Sequence, residues 1–349
     1  MLTEQRKKDH LKICLNKEVE SGNTSFEDVI LVHNSLSELN FDKIDTSTEF
    51  FGRKLSMPLM IDAITGGTKE SKKINRDLAE VAEKKKIIFS VGSQRAMIEN
   101  PKLKDTYYVR DVAPNILIFG NIGIFQIKKF GINEIENALE SIGADALSVH
   151  INPSQELFQK NGDLDFSGSV PSLKKLCEKL NYPVIGKEVG FGFSRESTLK
   201  LKETGVKVVD IGGYGGTNWI VVDALISGKD FTTFRDWGIP TPIAILEARV
   251  GLPIIATGGI RSGLDVAKSI ALGADICGMA LPFLRILKKE GKKGVERFID
   301  NVQKELKITM FLTGSKNIDE LKKAKYVLTG KIKDWVEQRK LNVECAREI

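Results

Sequence analysis

The sequence has no long hydrophobic run: no uninterrupted apolar stretch approaches the roughly 20 residues that a membrane-spanning helix needs. Its first ten residues are charged and lack an apolar core, so we expect no secretory signal there. Cysteine is scarce, and the four cysteines, Cys14, Cys177, Cys277 and Cys345, are too far apart for a metal-ligand spacing. Such cysteines are typical of free intracellular thiols, and we expect a cytoplasmic protein.

No basic segment is interleaved with aromatic residues, which argues against nucleic-acid binding. Apolar residues make up 42% of the chain and charged residues 28%, as in an ordinary globular protein. The net charge of +6 comes from a small cationic excess, which suits an anionic substrate. The chain also lacks a linker rich in Pro, Gly or Ser, so we predict that residues 1–349 form one domain.

A repeated pattern of short apolar segments is present instead, most of them followed by a helical pattern. The eight segments are Pro58–Ile64, Ile87–Gly92, Ile116–Asn121, Ala146–Asn152, Pro183–Glu188, Val206–Gly213, Pro253–Thr257 and Ala274–Ala280. The helices that follow the first five are expected at Ser71–Lys85, 101–111, Asn133–Ile142, 170–181 and Ser194–Thr204. Near-continuous apolar strands of this kind indicate parallel pairing with both faces buried. An open doubly wound sheet is the alternative, but eight regular units match an α/β (β/α)8 TIM barrel better.

The barrel divides the domain into three parts. They are an N-terminal flap and outer segment at 1–57, the barrel core at 58–290 and C-terminal helices at 291–349. A charged helix is predicted at 3–18, with Leu11 and Leu15 on its apolar side. A long loop is predicted between Tyr214 and Thr241, where it would act as a lid over the catalytic face.

The seventh strand runs through Gly258 and Gly259 into a helix that Ser262 is placed to cap. Free N–H groups and the positive end of a helix dipole favour an anion at such a turn. The eighth strand ends in small residues beside it, and TIM barrels bind phosphate after strands seven and eight. A tight turn without a ligand is the alternative.

Catalytic groups of a TIM barrel lie at the C-terminal ends of its strands. The polar residues at those ends include Thr65, Ser93, Gln94, Arg95, Asn121, His150, Asn152, Lys187, Thr217 and Arg261. Lys187 interrupts an apolar strand, so it must be paired or functional. It is either a Schiff-base nucleophile, its pKa lowered by burial, or a fixed cation beside a ligand that becomes anionic. Asn121 and the glycines after strand six favour a flat ring across the barrel mouth, such as flavin mononucleotide (FMN).

His150 and Asn152 lie two residues apart on one strand and therefore point to the same face. Gln155 and Glu156 follow at once, and a carboxylate with substrate phosphates is a common way to hold Mg²⁺. Trp219 comes after the glycine cluster at 212–216 and offers an aromatic face, although simple packing is possible for this residue type.

These motifs together resemble those of the type 2 isopentenyl diphosphate isomerases, over nearly the whole chain and in the family's order. They are Arg6–His10, Ile64–Gly67, Ser93–Arg95, His150–Glu156, Gly212–Trp219 and Thr257–Arg261. The resemblance implies interconversion of isopentenyl and dimethylallyl diphosphate with FMN in its reduced state, Mg²⁺, NADPH as reductant and a homotetramer. Ile64 stands where Met is common in the family.

Carried over residue by residue, the resemblance implies four groups of site residues. FMN is contacted by Ala63, Ile64, Thr65, Ser93, Asn121, Lys187, Thr217, Gly258, Gly259, Ile260, Arg261, Ala280 and Leu281. The diphosphate is contacted by Arg6, Lys7, Ser93, Gln94, Arg95, His150, Asn152 and Gln155. Mg²⁺ is held by Glu156, and the catalytic residues are His150, Gln155, Lys187 and Trp219.

Moving a double bond requires a proton added at one carbon and removed from its neighbour. No side chain here is obviously a strong enough acid. Reduced FMN, with its N5 proton over the alkene and Lys187 near N1, is the expected acid–base group. Gln155 is the side chain nearest to a role in proton removal, and because an amide is a weak base the alternative is that the flavin carries out both steps.

Other barrels share the phosphate site. A barrel like that of inosine monophosphate dehydrogenase needs a nucleophilic Cys in the loop after strand six, but this chain has Thr217 and Asn218 there. One like the hydroxyacid oxidases uses a late His–Arg arrangement, but no histidine follows His150. A non-catalytic barrel that binds anions or RNA would bind no flavin.

Overall fold

The computed structural model of the protein describes residues 2–20 and 22–343, so Cys345 lies outside the described residues. Eight parallel strands close into a barrel in chain order, which confirms the predicted TIM barrel. The strands are β1 Leu59–Ile61, β2 Ile88–Ser90, β3 Ile118–Gly123, β4 Ala146–Ile151, β5 Val184–Glu188, β6 Val208–Asp210, β7 Ile254–Thr257 and β8 Ile276–Met279. Closure is made where Cys277 of β8 pairs with Leu59 of β1.

Helices surround the barrel. They are α1 Leu2–Asn16, α2 Lys69–Lys85, α3 Arg95–Glu99, α4 Gln126–Lys129, α5 Ile132–Ile142, α6 Pro153–Phe158, α7 Ser169–Lys179, α8 Arg195–Glu203, α9 Trp219–Ser227, α10 Thr241–Glu247, α11 Gly263–Leu272, α12 Leu281–Thr313, α13 Ile318–Leu321 and α14 Gly330–Arg339. Two small antiparallel pairs lie outside, Val29–Leu31 with Tyr326–Leu328 and Thr48–Phe50 with Arg53–Leu55. None of these helices is long and apolar enough to cross a membrane.

Apolar side chains fill the N-terminal end of the barrel. Met60, Ile88 and Ile185 belong to one buried cluster inside it, and Phe50 and Leu55 of the second hairpin join the same cluster. Burying a side chain of this size contributes about 1.5–3 kcal/mol, so the hairpin seals this end of the barrel. The polar strand ends are therefore open only at the opposite, C-terminal end.

Two predicted segments were wrong in detail. The expected loop at 214–241 contains α9, whose Ile220, Val221 and Val222 are buried. These β-branched residues disfavour a helix locally, but their burial outweighs that preference, and Asn218 caps the helix by accepting from the Val221 N–H. The helix expected at 101–111 is replaced by α3 and a short 3₁₀ helix at Pro101–Thr106. Pro101 disfavours the helical conformation at the residue before it.

The N-terminal helix α1 lies across the C-terminal end of the barrel, where it packs against α9. Its end is fixed by Arg285, whose Nε donates to the Cys14 carbonyl at 3.1 Å and whose Nη2 donates to the Lys17 carbonyl at 2.9 Å. The following segment is held by the Asn218 N–H, which donates to the Val19 carbonyl at 2.8 Å. This placement is the one expected of the flap.

Candidate active site

The ends of all eight barrel strands and helix α1 line one cavity. Nearly all the residues predicted for the site take part. They are Arg6, Lys7, Ala63, Ile64, Thr65, Ser93, Arg95, Asn121, His150, Asn152, Gln155, Glu156, Lys187, Thr217, Trp219, Gly258, Gly259, Arg261, Ala280 and Leu281. Residues as distant in sequence as 6 and 281 therefore meet at one place, because the topology brings every strand end to the same rim.

The structure does not bring Gln94 and Ile260 to the cavity. Gln94 is buried beneath β3, where its Oε1 accepts from the Asn121 N–H at 3.0 Å and its Nε2 donates to the Ala138 carbonyl at 3.0 Å. Gly120 leaves the space that this side chain occupies, since a Cβ there would lie 2.5 Å from the Gln94 Oε1. Ile260 is fully buried in the apolar core. Both residues support the loops of the site from behind.

The phosphate site differs in one respect from the prediction. The first N–H groups of α11 are already used by the protein, because Asp265 accepts from the Arg261 and Ser262 N–H groups and Glu305 accepts from Gly263. By contrast α12, which begins at Leu281 on the cavity wall, has no side chain capping its N-terminus. An anion at this rim therefore fits the start of α12 and the glycine loops rather than the start of α11.

Two glycine loops approach one another closely beside α12. Gly258 and Gly259 have φ values of +107° and +71°, which L side chains rarely adopt. A Cβ on Gly258 would lie 2.0 Å from the Gly213 carbonyl oxygen, and one on Gly216 would lie 2.6 Å from the Gly259 nitrogen. The loops after β6 and β7 thus need glycine for their own packing, and they leave backbone facing the cavity.

Lys187 projects into a pair of buried carboxylates. Its Nζ lies 2.8 Å from Asp62 Oδ2 and 2.5 Å from Asp210 Oδ2. Burial alone would lower the pKa of this ammonium, but the charges of Asp210 and Asp62 outweigh it, and the pKa lies above its ordinary value. The Schiff-base alternative required a lowered pKa, so the pairing with Asp62 and Asp210 favours the fixed cation. Lys187 is a fixed cation at the cavity floor.

His150 is neutral in this environment. Its Nδ1 lies 2.8 Å from Asn121 Oδ1, so the ring is held by an amide of the next strand. Burial, together with the charges of Lys7, Lys187 and Arg6, lowers the pKa of His150 to about 3.

Three cations crowd the opposite wall of the cavity. Burial and the charges of Arg6 and Arg95 lower the pKa of Lys7 to about 8. Arg95 pairs with Glu99 at 3.0 Å, whereas neither Arg6 nor Lys7 forms an ion pair with any residue in the described part of the chain. Cations brought together without a counterion are destabilising unless an anion joins them, so this wall is suited to a highly charged anionic group.

Helix α6 carries a connected amide and carboxylate network. Asn152 Nδ2 donates to Gln155 Oε1 at 3.0 Å and to Glu156 Oε1 at 2.9 Å. Gln155 Nε2 donates to Asp223 Oδ2 at 2.8 Å. Burial raises the pKa of Glu156. The Asn152 Oδ1 is buried and has no hydrogen-bond partner, so an oxygen ligand lies free beside a carboxylate.

The Glu156 carboxylate and the Asn152 Oδ1 determine how a metal ion could be held. No cluster of three or more His, Cys, Asp or Glu side chains that could hold a metal occurs among residues 2–20 and 22–343. Glu156 and the unpartnered Asn152 oxygen fit a hard cation such as Mg²⁺, but only if substrate oxygens or waters complete its ligands.

Sequence reasoning missed the partners that fix the site. Asp62 and Asp210 lie at strand ends beside Lys187. Side chains alternate between the two faces of a strand, so the positions of these residues along their strands could have predicted that they face the lysine. Asp223 stands four residues after Trp219, so both lie on one face of α9, which was taken for a loop. His10 was recognised only as part of a motif, and its Nε2 lies 2.9 Å from Asp223 Oδ1.

The site thus combines a closed (β/α)8 barrel, glycine loops after β6 and β7, an uncapped helix after β8 and a buried lysine on β5, and a phosphate-bearing ligand fits such a rim. The FMN-dependent dehydrogenase family matches residues 133–328. A structure of flavocytochrome b2 superposes with a TM-score of 0.67 at 21% identity, covering 91% of this chain and 81% of that one. A mandelate oxidase structure gives 0.66 at 16% identity over 93% and 98% of the two chains. These two likenesses concern the fold.

Closer relatives define the particular family. The isopentenyl-diphosphate delta-isomerase of Archaeoglobus fulgidus is 47% identical over 97% of this chain and 100% of its own length. That of Pyrococcus furiosus is 45% identical over 96% of this chain and 89% of its own. The chain belongs to the type 2 isopentenyl-diphosphate delta-isomerases, and it is an enzyme of the isomerase class.

Proposed function

We propose that the protein interconverts isopentenyl diphosphate and dimethylallyl diphosphate in isoprenoid biosynthesis, using reduced FMN with Mg²⁺ on the diphosphate and NADPH as the reductant of the flavin. The observation that carries the proposal is the wall of three cations, Arg6, Lys7 and Arg95, facing a cavity of FMN-family architecture. Arg95 pairs with Glu99, whereas Arg6 and Lys7 form no ion pair with any other described residue. We further propose a cytoplasmic homotetramer, in line with the family resemblance.

The diphosphate fits the cation wall. Arg6 and Lys7 come from α1 and Arg95 from α3, so a substrate bound between them ties the flap to the barrel. Each charge-assisted hydrogen bond to a phosphate is stronger than a neutral one, and several converge here. A diphosphate beside His150 would offset the charges of Lys7 and Arg6, which together with burial lower the pKa of this histidine.

FMN would be held at two places in the cavity. The phosphate fits the uncapped start of α12 at Ala280 and Leu281 together with the backbone at Gly258 and Gly259. The ring fits over the barrel mouth, bounded by Thr65, Asn121 and Lys187. When bound in its reduced form, FMN would supply the proton donor and acceptor for the shift of the double bond.

Side chains of the cavity then hold a fixed charge and orient the groups that face the substrate. The Lys187 ammonium is kept protonated by Asp62 and Asp210 and places a fixed positive charge at the cavity floor. Gln155 is aimed by Asn152 on one side and Asp223 on the other. Trp219 presents its ring at the cavity wall, where an aromatic face favours a carbon skeleton that develops positive charge.

We expect Glu156→Gln to lower the Mg²⁺-dependent rate by at least about tenfold, since one negative ligand of the cation is replaced by a neutral amide of the same size. FMN should remain bound. The rate is measured with isopentenyl diphosphate over a range of Mg²⁺ concentrations. Glu203→Gln, a matched change on the exposed surface of α8, is the control and should leave the rate unchanged. Wild-type rates for Glu156→Gln at every Mg²⁺ concentration would remove Glu156 from the metal site.

The proposed function is tested by assaying purified holoenzyme anaerobically with isopentenyl diphosphate, Mg²⁺ and reduced FMN. Formation of dimethylallyl diphosphate supports it. Absence of isomerisation, in a protein that holds FMN, would overturn it.

A further inference from the structure

His10 of the N-terminal flap and Gln155, the amide assigned to the reaction, both form a hydrogen bond with the carboxylate of Asp223. Asp223 of α9 has its Oδ2 bonded by Gln155 Nε2 at 2.8 Å and its Oδ1 bonded to His10 Nε2 at 2.9 Å. His10 lies on α1 and Gln155 on α6, and Asp223 of α9 joins the two residues. Both oxygens of the carboxylate are thus engaged by groups from different elements.

This carboxylate is deeply buried, which makes its partners matter. The Asp223 side chain is 2% exposed and that of His10 12%. A buried carboxylate that loses a hydrogen-bond donor is costly, so Asp223 would rotate or change its partners if His10 were withdrawn. Gln155 would then lose the acceptor that fixes its amide, because its other bond, from Asn152 to its Oε1, restrains the oxygen end alone.

The same histidine also touches the aromatic residue of the site. The His10 and Trp219 rings meet edge to face, with centroids 5.0 Å apart and an interplanar angle of 71°. Trp219 is the first residue of α9, one turn before Asp223. His10 therefore contacts two successive turns of α9, and it can do so only while α1 lies over the barrel mouth.

We propose that His10 is a positioning residue that couples the docked flap to the reacting geometry: through Asp223 it orients the amide of Gln155, and through its ring it fixes Trp219. The inference rests on the proposed isomerase function. Arg6 and Lys7 of the same helix bind the diphosphate, so substrate binding and alignment of Gln155 become one event. His10 acts through other residues and takes no part in proton transfer itself.

The test compares two substitutions that differ in reach. In His10→Gln the amide nitrogen falls near the position of the histidine Nε2 and still donates to Asp223, whereas in His10→Asn it falls near Nδ1 and stops short. We expect His10→Asn to lower kcat at least about tenfold, with a smaller rise in KM and FMN occupancy within about twofold, and His10→Gln to retain kcat within about threefold of wild type. Lys12→Gln, on the exposed side of the same helix, is the control.

A double-mutant cycle with Asp223→Asn shows whether His10 acts through this carboxylate. We expect His10→Asn to add no further loss, within about twofold, once Asp223 is already changed. Amide hydrogen exchange over residues 4–16 should rise in His10→Asn and not in His10→Gln.

Three results would overturn the proposal in an enzyme whose wild type isomerises the substrate: wild-type kcat in His10→Asn, an effect on KM alone, or losses that multiply independently in the double mutant. If the wild type itself formed no product, the proposed function and not the role of His10 would have failed. Amide hydrogen exchange over residues 4–16 of the flap would still report on the contact between His10 and Asp223.

Discussion

Replacing Lys187 by Gln is expected to slow isomerisation by more than about a hundredfold at saturating FMN, corresponding to about 2.7 kcal/mol or more of lost transition-state stabilisation. A reduced flavin carries negative charge near N1, and Lys187 is the cation that Asp62 and Asp210 hold protonated at the cavity floor. A neutral amide at this position offers no compensating charge and leaves two carboxylates facing the ring.

The substitution also affects stability, and this must be separated from catalysis. Removing one partner of a buried ion pair typically costs about 3–5 kcal/mol, because the charge left behind is unpaired. A second variant, Lys187→Gln with Asp62→Asn, removes one of the two carboxylates and should regain part of the stability but none of the rate. Lys207→Gln, exposed before β6 at the other end of the barrel, is the matched control. A folded Lys187→Gln enzyme with near wild-type kcat would contradict the role given to this cation.

Arg261→Glu is expected to weaken FMN binding by at least about a hundredfold, so that the protein purifies without a stoichiometric flavin. Arg261 lines the cavity between the glycine loop after β7 and the start of α12, where the phosphate is proposed to sit. The substitution removes a charge-assisted donor and adds a repulsive carboxylate. Its guanidinium already pairs with Glu20, so the reversal also places two acidic groups together.

The measurement is titration of the apoprotein with FMN, followed by the change in flavin fluorescence. Arg297→Glu, the same change on the exposed surface of α12, should leave the dissociation constant unaltered. A thermal unfolding curve for each variant separates loss of affinity from loss of fold. Tight FMN binding by Arg261→Glu would place the phosphate elsewhere.

The fold was accessible from sequence because each barrel strand is buried on both faces. Segments such as Ile254–Thr257 and Ile276–Met279 are almost entirely apolar without alternation, and that pattern indicates parallel strands buried on both faces. Functional residues of a TIM barrel lie at the C-terminal ends of its strands. Once the barrel was assumed, this rule predicted that Lys187, His150 and Arg261 lie together, without any knowledge of distances.

What the sequence could not provide was the direction of side chains beyond the strand ends. Gln94 follows β2 by a few residues, where the backbone is no longer extended, so the period of two that predicts facing residues stops applying. The start of α11 illustrates the same limit, because Asp265 and Glu305 reach it from other parts of the chain. The carboxylates around Lys187 also required the closed barrel, since β1 and β6 lie far apart in sequence.

We propose that the reaction is redox-neutral, with the flavin unchanged after each turnover. One anaerobic experiment tests it most directly: the holoenzyme is reduced once by a limited amount of dithionite or NADPH and then supplied with excess isopentenyl diphosphate in D₂O. We expect many turnovers per reduced flavin, no further reductant consumed, and deuterium in the carbon that becomes the new methyl group. Reductant consumed in step with product would contradict it and would assign the chain a dehydrogenase reaction instead.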